Sequence, residues 1–168
     1  KTVIFAKIEA AEGTMETLAA ADGFLGYNPT FDPIIEANER DPVREFLSPY
    51  PSVMGKRSAK ISFDVDLVGA AVATAPYWGK LLRACGALET VVPVTSVTYT
   101  PLLTAAPCLT IAFHSDGKIY TGWGCRGTAK LILDAGKGGM IHFEFTAADF
   151  SVIDGAIIPA TSYSTLVP

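Results

Sequence analysis

Thr74-Ala-Pro-Tyr-Trp-Gly-Lys-Leu-Leu-Arg-Ala-Cys-Gly86 is the one stretch of this chain with helical spacing, set in a sequence otherwise patterned for β-strands. Thr74 is placed to cap the N-terminus, and Pro76 fits a first turn where its missing N–H costs nothing. Trp78, Leu82 and Cys85 recur at three- and four-residue intervals together with Leu81, and Gly86 supplies the stop. The spacing predicts a helix over about 75–85, roughly three turns and too short to persist alone. Its Trp78, Leu82 and Cys85 stripe must therefore pack on a sheet, with Lys80 and Arg83 expected on the outer side.

The strands around it are read from period-two alternation. Lys60–Val68 is the clearest, with Ile61, Phe63, Val65 and Leu67 on one face and Lys60, Ser62, Asp64 and Asp66 on the other. Two hairpins follow the helix. Leu109–His114 pairs with Lys118–Gly122 around Ser115-Asp116-Gly117, a strong turn signal. Thr128–Asp134 pairs with Met140–Thr146 across 135–139, turning Ile141, Phe143 and Phe145 inward and His142, Glu144 and Thr146 outward. Residues 2–8 and Val91–Thr100 are further candidate strands. Phe24–Phe31 reads as a short strand broken by Pro29, 15–20 as a possible helical turn, and the tail from Asp149 as a late strand at best. Asn38–Lys56 lacks any period, mixes charges of both signs and carries three prolines, so it is expected to be a long loop (38–56). The pattern specifies a mainly β, antiparallel domain, 1–168, with one short flanking helix.

Composition narrows the function. Hydrophobic residues make up 49% and charged residues only 18% of the 168, with a mean hydropathy of +0.33. No apolar run approaches the 18 or more residues of a membrane helix, so no membrane association is expected. The excess apolar surface fits burial between subunits, the alternative being an unusually apolar monomer. A net charge of −4 argues against tight nucleic-acid binding through basic patches. Cys85, Cys108 and Cys125 have no framework spacing and read as reduced, buried thiols. The N-terminal Lys1–Ile8 lacks the apolar core of a cleavable signal.

The motifs that suggest chemistry fail on context. Gly122-Trp-Gly-Cys-Arg-Gly127 matches a dinucleotide-binding fingerprint, but that site needs a helix N-terminus directly after it. Thr128-Ala-Lys-Leu-Ile-Leu is strand-like, so the glycines are expected to form a bend between strands. Cys108, His114, Cys125 and His142 lack the spacing that sets two ligands on one zinc ion. Asp64 and Asp66 lie about 7 Å apart by strand rise, yet a solvated sheet face does not dry a carboxyl as an acid catalyst requires. No enzyme activity, metal or cofactor is expected.

Several blocks in fixed order carry a family resemblance. Lys60-Ile-Ser-Phe-Asp-Val-Asp-Leu-Val-Gly69, the Thr74–Gly86 segment, Val97-Thr-Tyr-Thr-Pro101, Asp116-Gly117, Gly124-Cys-Arg-Gly-Thr128 and Met140-Ile-His-Phe-Glu-Phe-Thr146 resemble tail tube proteins of long-tailed bacteriophages. The resemblance spans about residues 40–160. It implies an antiparallel β-sandwich or partial barrel flanked by one short helix, and a structural virion protein that forms rings, usually of six subunits, stacked into the tube that conducts DNA from capsid to host. Its implied partners are copies of itself, the tape measure protein and other tail proteins. DNA would pass without specific binding, and assembly would take place in the host bacterial cytoplasm before the protein resides in the virion tail.

On that reading, acids on the face turned from the core place Asp64, Asp66 and Glu144 in the lumen. A weakly acidic wall repels phosphate over about 8–10 Å, so DNA slides without adhering. The long loop is the expected contact between rings, with Glu39, Arg40, Asp41, Arg44 and Glu45 setting register and Phe46 and Tyr50 among its apolar anchors. Two alternatives remain: a tail terminator or baseplate-type ring, and a β-sandwich carbohydrate- or receptor-binding module using Tyr50, Tyr120 and Trp123.

Overall fold

A computed structural model describes residues 2–43, 45, 50–70, 74–102, 104–158 and 163. In chain order the strands are β1 (Thr2–Ile8), β2 (Gly23–Phe24), β3 (Tyr27–Asn38) and β4 (Val53–Asp66), followed by the helix α1 (Gly79–Ala84). Then come β5 (Ala87–Val92), β6 (Ser96–Pro101), β7 (Leu109–Ser115), β8 (Lys118–Ile132), β9 (Met140–Ala147) and β10 (Asp149–Asp154). All pairings are antiparallel, and the main sheet runs β2-β1-β7-β8-β9-β4-β3, with β10 also on β8. The sheet curls into a half-barrel, the partial-barrel form of the mainly β fold expected, with one small helix.

The frame of the molecule is one long hairpin. Along it Ile132 faces Met140, Arg126 faces Thr146, Trp123 faces Asp149 and Lys118 faces Asp154, without a slip in register. Ala148 separates β9 from β10, and its N–H donates to the Trp123 carbonyl at 2.9 Å, so the ladder stays continuous. The first half of β8 pairs with β7, which leads on to β1 and β2. At the other end of the hairpin β9 pairs with β4, and β4 with β3. The hairpin thus belongs to both halves of the sheet.

The glycine segment makes this turn of direction possible. The β7–β8 register shifts between Leu109 and Ile111, and Gly124 sits in that bulge at φ +64°. A bulge of this kind bends a strand and increases its twist. Glu9, only 7% exposed, holds it: one carboxylate oxygen accepts from the Gly124 N–H at 2.6 Å and from Thr110 Oγ1 at 3.1 Å. The other accepts from the Gly13 N–H at 2.8 Å. The G-x-G-x-x-G match is therefore strand on both sides of a bend.

The core fills the concave side. Ala59, Ile61, Phe63 and Val65 of β4 are buried together with Ile141, Phe143 and Phe145 of β9 and Leu109, Ile111 and Phe113 of β7. Phe63 is at the centre, with ring centroids 5.6 Å from Phe24, 6.1 Å from Phe113 and 5.9 Å from both Phe143 and Phe145. The β7–β8 turn has positive φ at Asp116 and Gly117, 38° and 88°, the twist that a two-residue hairpin prefers.

Several expectations need correction. Phe24–Phe31 is not one short strand: β3 begins at Tyr27 and runs through Pro29 and Pro33 to Asn38. It tolerates both prolines because it ends the sheet order, and an edge strand need not donate on its open side. The loop expected over 38–56 is shorter, because Asn38 closes β3 and Val53–Lys56 open β4. Val91–Thr100 is not one strand but most of a hairpin, β5–β6, turning at 93–95. Its turn hides from sequence because Val94, a β-branched residue, adopts φ 63°. A short 3-10 turn lies at Ala20–Asp22 rather than at 15–20.

The helix is the largest change. It spans only Gly79–Ala84, with no side-chain cap, so Thr74 does not start it. Tertiary anchors do the work of a cap: Trp78 Nε1 donates to the Val68 carbonyl at 2.8 Å, and Tyr77 Oη to the Asp66 carbonyl at 3.3 Å. Gly79 lets the β5–β6 hairpin approach, since a Cβ there would collide with Tyr99 and Glu89. Gly86 ends the turn at φ +89°, as its position at C′ predicts.

Candidate functional site

Four strands, β3, β4, β9 and the second half of β8, present a polar face on the side turned from the core. Because registers are fixed, its residues form rows across the strands. One row is Asp32, Lys60, Thr146 and Arg126; the next is Thr30, Ser62, Glu144 and Thr128. A third is Tyr27, Asp64, His142 and Lys130, beyond which Asp66 lies beside Met140.

Polar side chains link the rows and strands. Tyr27 Oη donates to Asp66 at 2.8 Å, Asn28 Nδ2 to Asp64 at 3.1 Å, and the Thr30 and Ser62 hydroxyls meet at 2.5 Å. His142 lies between two carboxylates, with Nδ1 2.6 Å from Asp64 and Nε2 3.3 Å from Glu144. The Asp64 hydrogen bond, reinforced by that of Glu144, raises the His142 pKa above its ordinary value against the opposing effect of partial burial. The Asp66 carboxylate likewise pushes the Tyr27 hydroxyl up.

Asp64, Asp66 and Glu144 thus share one face, and His142 bridges two of them. The face is more mixed than its acids alone suggest, because the register adds Lys60, Arg126 and Lys130. Arg126 is engaged by Glu12 at 2.9 Å and donates to the Ala106 carbonyl. Alternation in Met140–Thr146 already points His142 and Glu144 the same way. Their juxtaposition with Asp64 and Lys130 depends on which strands pair, which no local pattern states.

The described loop residues do not join this face. Glu39 follows β3 directly, seven positions along the chain from Asp32 in the first row, which is roughly 23 Å at strand rise. Glu39, Arg40, Asp41, Glu45 and Tyr50 are exposed, and the Arg40 guanidinium lies 5.3 Å over the Tyr50 ring. Arg44 and Phe46 lie outside the described residues. Exposed Ile34 and Ile35 on β3, with Val53 and Met54 on β4, give this end of the hairpin an apolar surface.

Around the helix, Leu81 and Ala84 are the fully buried side chains, while Trp78, Leu82 and Cys85 pack half-buried against the core. Burial pushes the Cys85 thiol up to about 12, which leaves it protonated and unreactive. Lys80 does not lie on the outer face. Its ammonium donates to the Ala6 carbonyl at 2.6 Å and the Asp22 carbonyl at 3.3 Å, and burial lowers its pKa. It ties the helix to β1 and to the 3-10 turn.

The architecture is a curled antiparallel half-barrel, 56% strand, with one small helix. No protein-family model and no curated protein sequence matches the chain. The fold is similar to a chain in the cryo-EM structure of the anti-feeding prophage baseplate, six-fold symmetrised. The likeness covers 92% of this chain and 93% of that one, with a TM-score of 0.53 and 8% sequence identity. It is a likeness of fold.

Proposed function

We propose that this chain is a structural, non-enzymatic subunit of a phage tail or phage-like tail particle that works as a ring of identical copies. The observation that carries the reading is the likeness of fold, nearly end to end in both chains, to a component of a six-fold symmetrised prophage baseplate. The geometry suits it. The second half of β8 and strand β3 are the two edges of a four-stranded sheet, and edges on opposite sides suit head-to-tail closure of a ring. Leu131, Ile132 and Leu133 at one edge, and Ile34 and Ile35 at the other, are exposed and apolar.

The sequence blocks that resemble tail tube proteins favour a finer form, in which rings stack into a tube. The polar face with Asp64, Asp66 and Glu144 would then line the passage, and the loop after β3 would reach the next ring. Partners would be further copies, the tape measure protein and other tail proteins, assembled in the host cytoplasm and resident in the virion. The baseplate likeness favours a ring that does not polymerise. Negative-stain micrographs of the purified full chain, and of a variant in which residues 40–51 are replaced by a short turn, decide between them. Hollow tubes that are lost on shortening the loop support the tube; single rings from both proteins support the baseplate form. Monodisperse single subunits at every concentration would refute a ring.

A further inference from the structure

His142 has its two ring nitrogens directed at two different carboxylates, Asp64 on the neighbouring strand and Glu144 two residues along its own. We propose that His142 is a pH-responsive charge on the polar face, held as an imidazolium by this clamp and discharged as pH rises.

The argument is one of donor count. An ionised carboxylate only accepts, and a neutral imidazole owns a single N–H, whereas the imidazolium has two. At 2.6 Å and 3.3 Å, both ring nitrogens donate only in the charged form. Asp64 is itself steadied, because Asn28 donates to its second oxygen at 3.1 Å. Of the other charged or titratable groups facing this point, Asp66 on β4 is occupied by the Tyr27 hydroxyl of β3. Lys130 on β8 stands across from His142 and opposes a second positive charge. The two carboxylates in contact outweigh it, in keeping with the upward shift of the imidazole.

Within these rows four carboxylates, Asp32, Asp64, Asp66 and Glu144, stand with three cations, Lys60, Arg126 and Lys130. A charged His142 balances the charges within these rows, Glu12 pairing with Arg126 from outside them, and a neutral one leaves the face one charge more negative. If the face lines a passage for a polyanion, as in the tube form of the proposed function, the wall becomes more repellent as pH rises. That consequence rests on the proposed function; the clamp does not. Since the folded-state pKa is raised, the clamp's contribution to stability is full below the ordinary histidine value and is lost as pH rises through the folded value.

The test is an NMR pH titration of the full chain with labelled histidine. There are two histidines, and His142→Gln assigns the signals. The buried His114, whose pKa is lowered by desolvation, serves as the internal contrast. His142 should titrate with a midpoint above 6.5, the ordinary value. Asp64→Asn should lower that midpoint more than Glu144→Gln does. In parallel, the stability deficit of His142→Gln against the parent chain should be present in mild acid and vanish with rising pH. Glu144 is 69% exposed, so its variant keeps the fold if Asp64→Asn does not. A midpoint at or below 6.5, or one unmoved by the Glu144 variant, overturns the proposal. Micrographs without rings would refute the proposed function and leave the titration result standing.

Discussion

Phe63→Ala removes the side chain that joins the two halves of the half-barrel. Phe63 has no exposed surface and meets rings from β2, β7 and β9, so four neighbouring aromatics border the space it would vacate. A buried Phe→Ala change costs about 3–5 kcal/mol, the higher figure where the surroundings cannot collapse. Rings held by separate strands cannot all close on one void, which argues for the upper part of that range. At roughly 2–4 °C per kcal/mol for a chain of this size, Tm should fall by roughly 6–20 °C. Lys60, on the same strand and the opposite face, is the control: Lys60→Ala should change stability by no more than about 0.5 kcal/mol. The assay is urea unfolding followed by tryptophan fluorescence and circular dichroism, at protein concentrations where the midpoint no longer depends on concentration. Assembly would otherwise stabilise the fold by mass action and mask the loss. A Phe63→Ala cost below about 1 kcal/mol, or a Lys60→Ala cost equal to it, would refute the placement of the core between the two halves.

Gly124→Ala forces an alanine to φ +64° and sets its Cβ 2.7 Å from the Ala148 Cβ. The conformational strain and the collision together should cost about 2–4 kcal/mol, read by the same unfolding assay. Gly13→Ala, at φ +75° with open space around it, should lose only the strain, about 1–2 kcal/mol; equal costs would refute the crowded bulge. Glu144→Lys reverses a charge that is 69% exposed and gives up its His142 contact, a smaller disturbance than reversing Asp64, whose carboxylate binds both Asn28 and His142. If this face lines the passage of the proposed tube, the variant should slow DNA release from reconstituted particles while assembly stays normal; unchanged release kinetics would refute that placement.

The fold was legible wherever one residue's chemistry dictates local geometry. Alternation through Lys60–Asp66 assigns Ile61, Phe63 and Val65 to the core because a pleated strand sends neighbours to opposite faces. Asp116-Gly117 marks its turn because few residue pairs accept two positive φ angles. The glycines at 122–127, followed by strand-forming residues, exclude a phosphate loop and indicate a bend. Where reading failed, a distant partner had overridden local preference. Pro29 spoke against a continuous strand, but β3 lies at an edge. Thr74 offered a cap, but Tyr77 and Trp78 anchor the helix to the last residue of β4 and to the segment after it. Lys80 has a surface residue's side chain, but two main-chain carbonyls take up its ammonium.

The candidate site divides the same way. Local alternation determined which side chains share the outer face of each strand, so Asp64 and Asp66 are together on β4, and His142 and Glu144 on β9. It determined the mainly β architecture and the separation of core from polar face. That β4 lies between β3 and β9, that Asp64 meets His142, and that Lys130 closes the row emerges only in the folded chain. Strand neighbours and register are set by the global packing of Phe63 and its ring partners and by the bulge that Glu9 holds at Gly124. A one-residue slip would invert every strand face. Such long-range choices are decided by the sum of burial across the sheet, and no local segment encodes that sum.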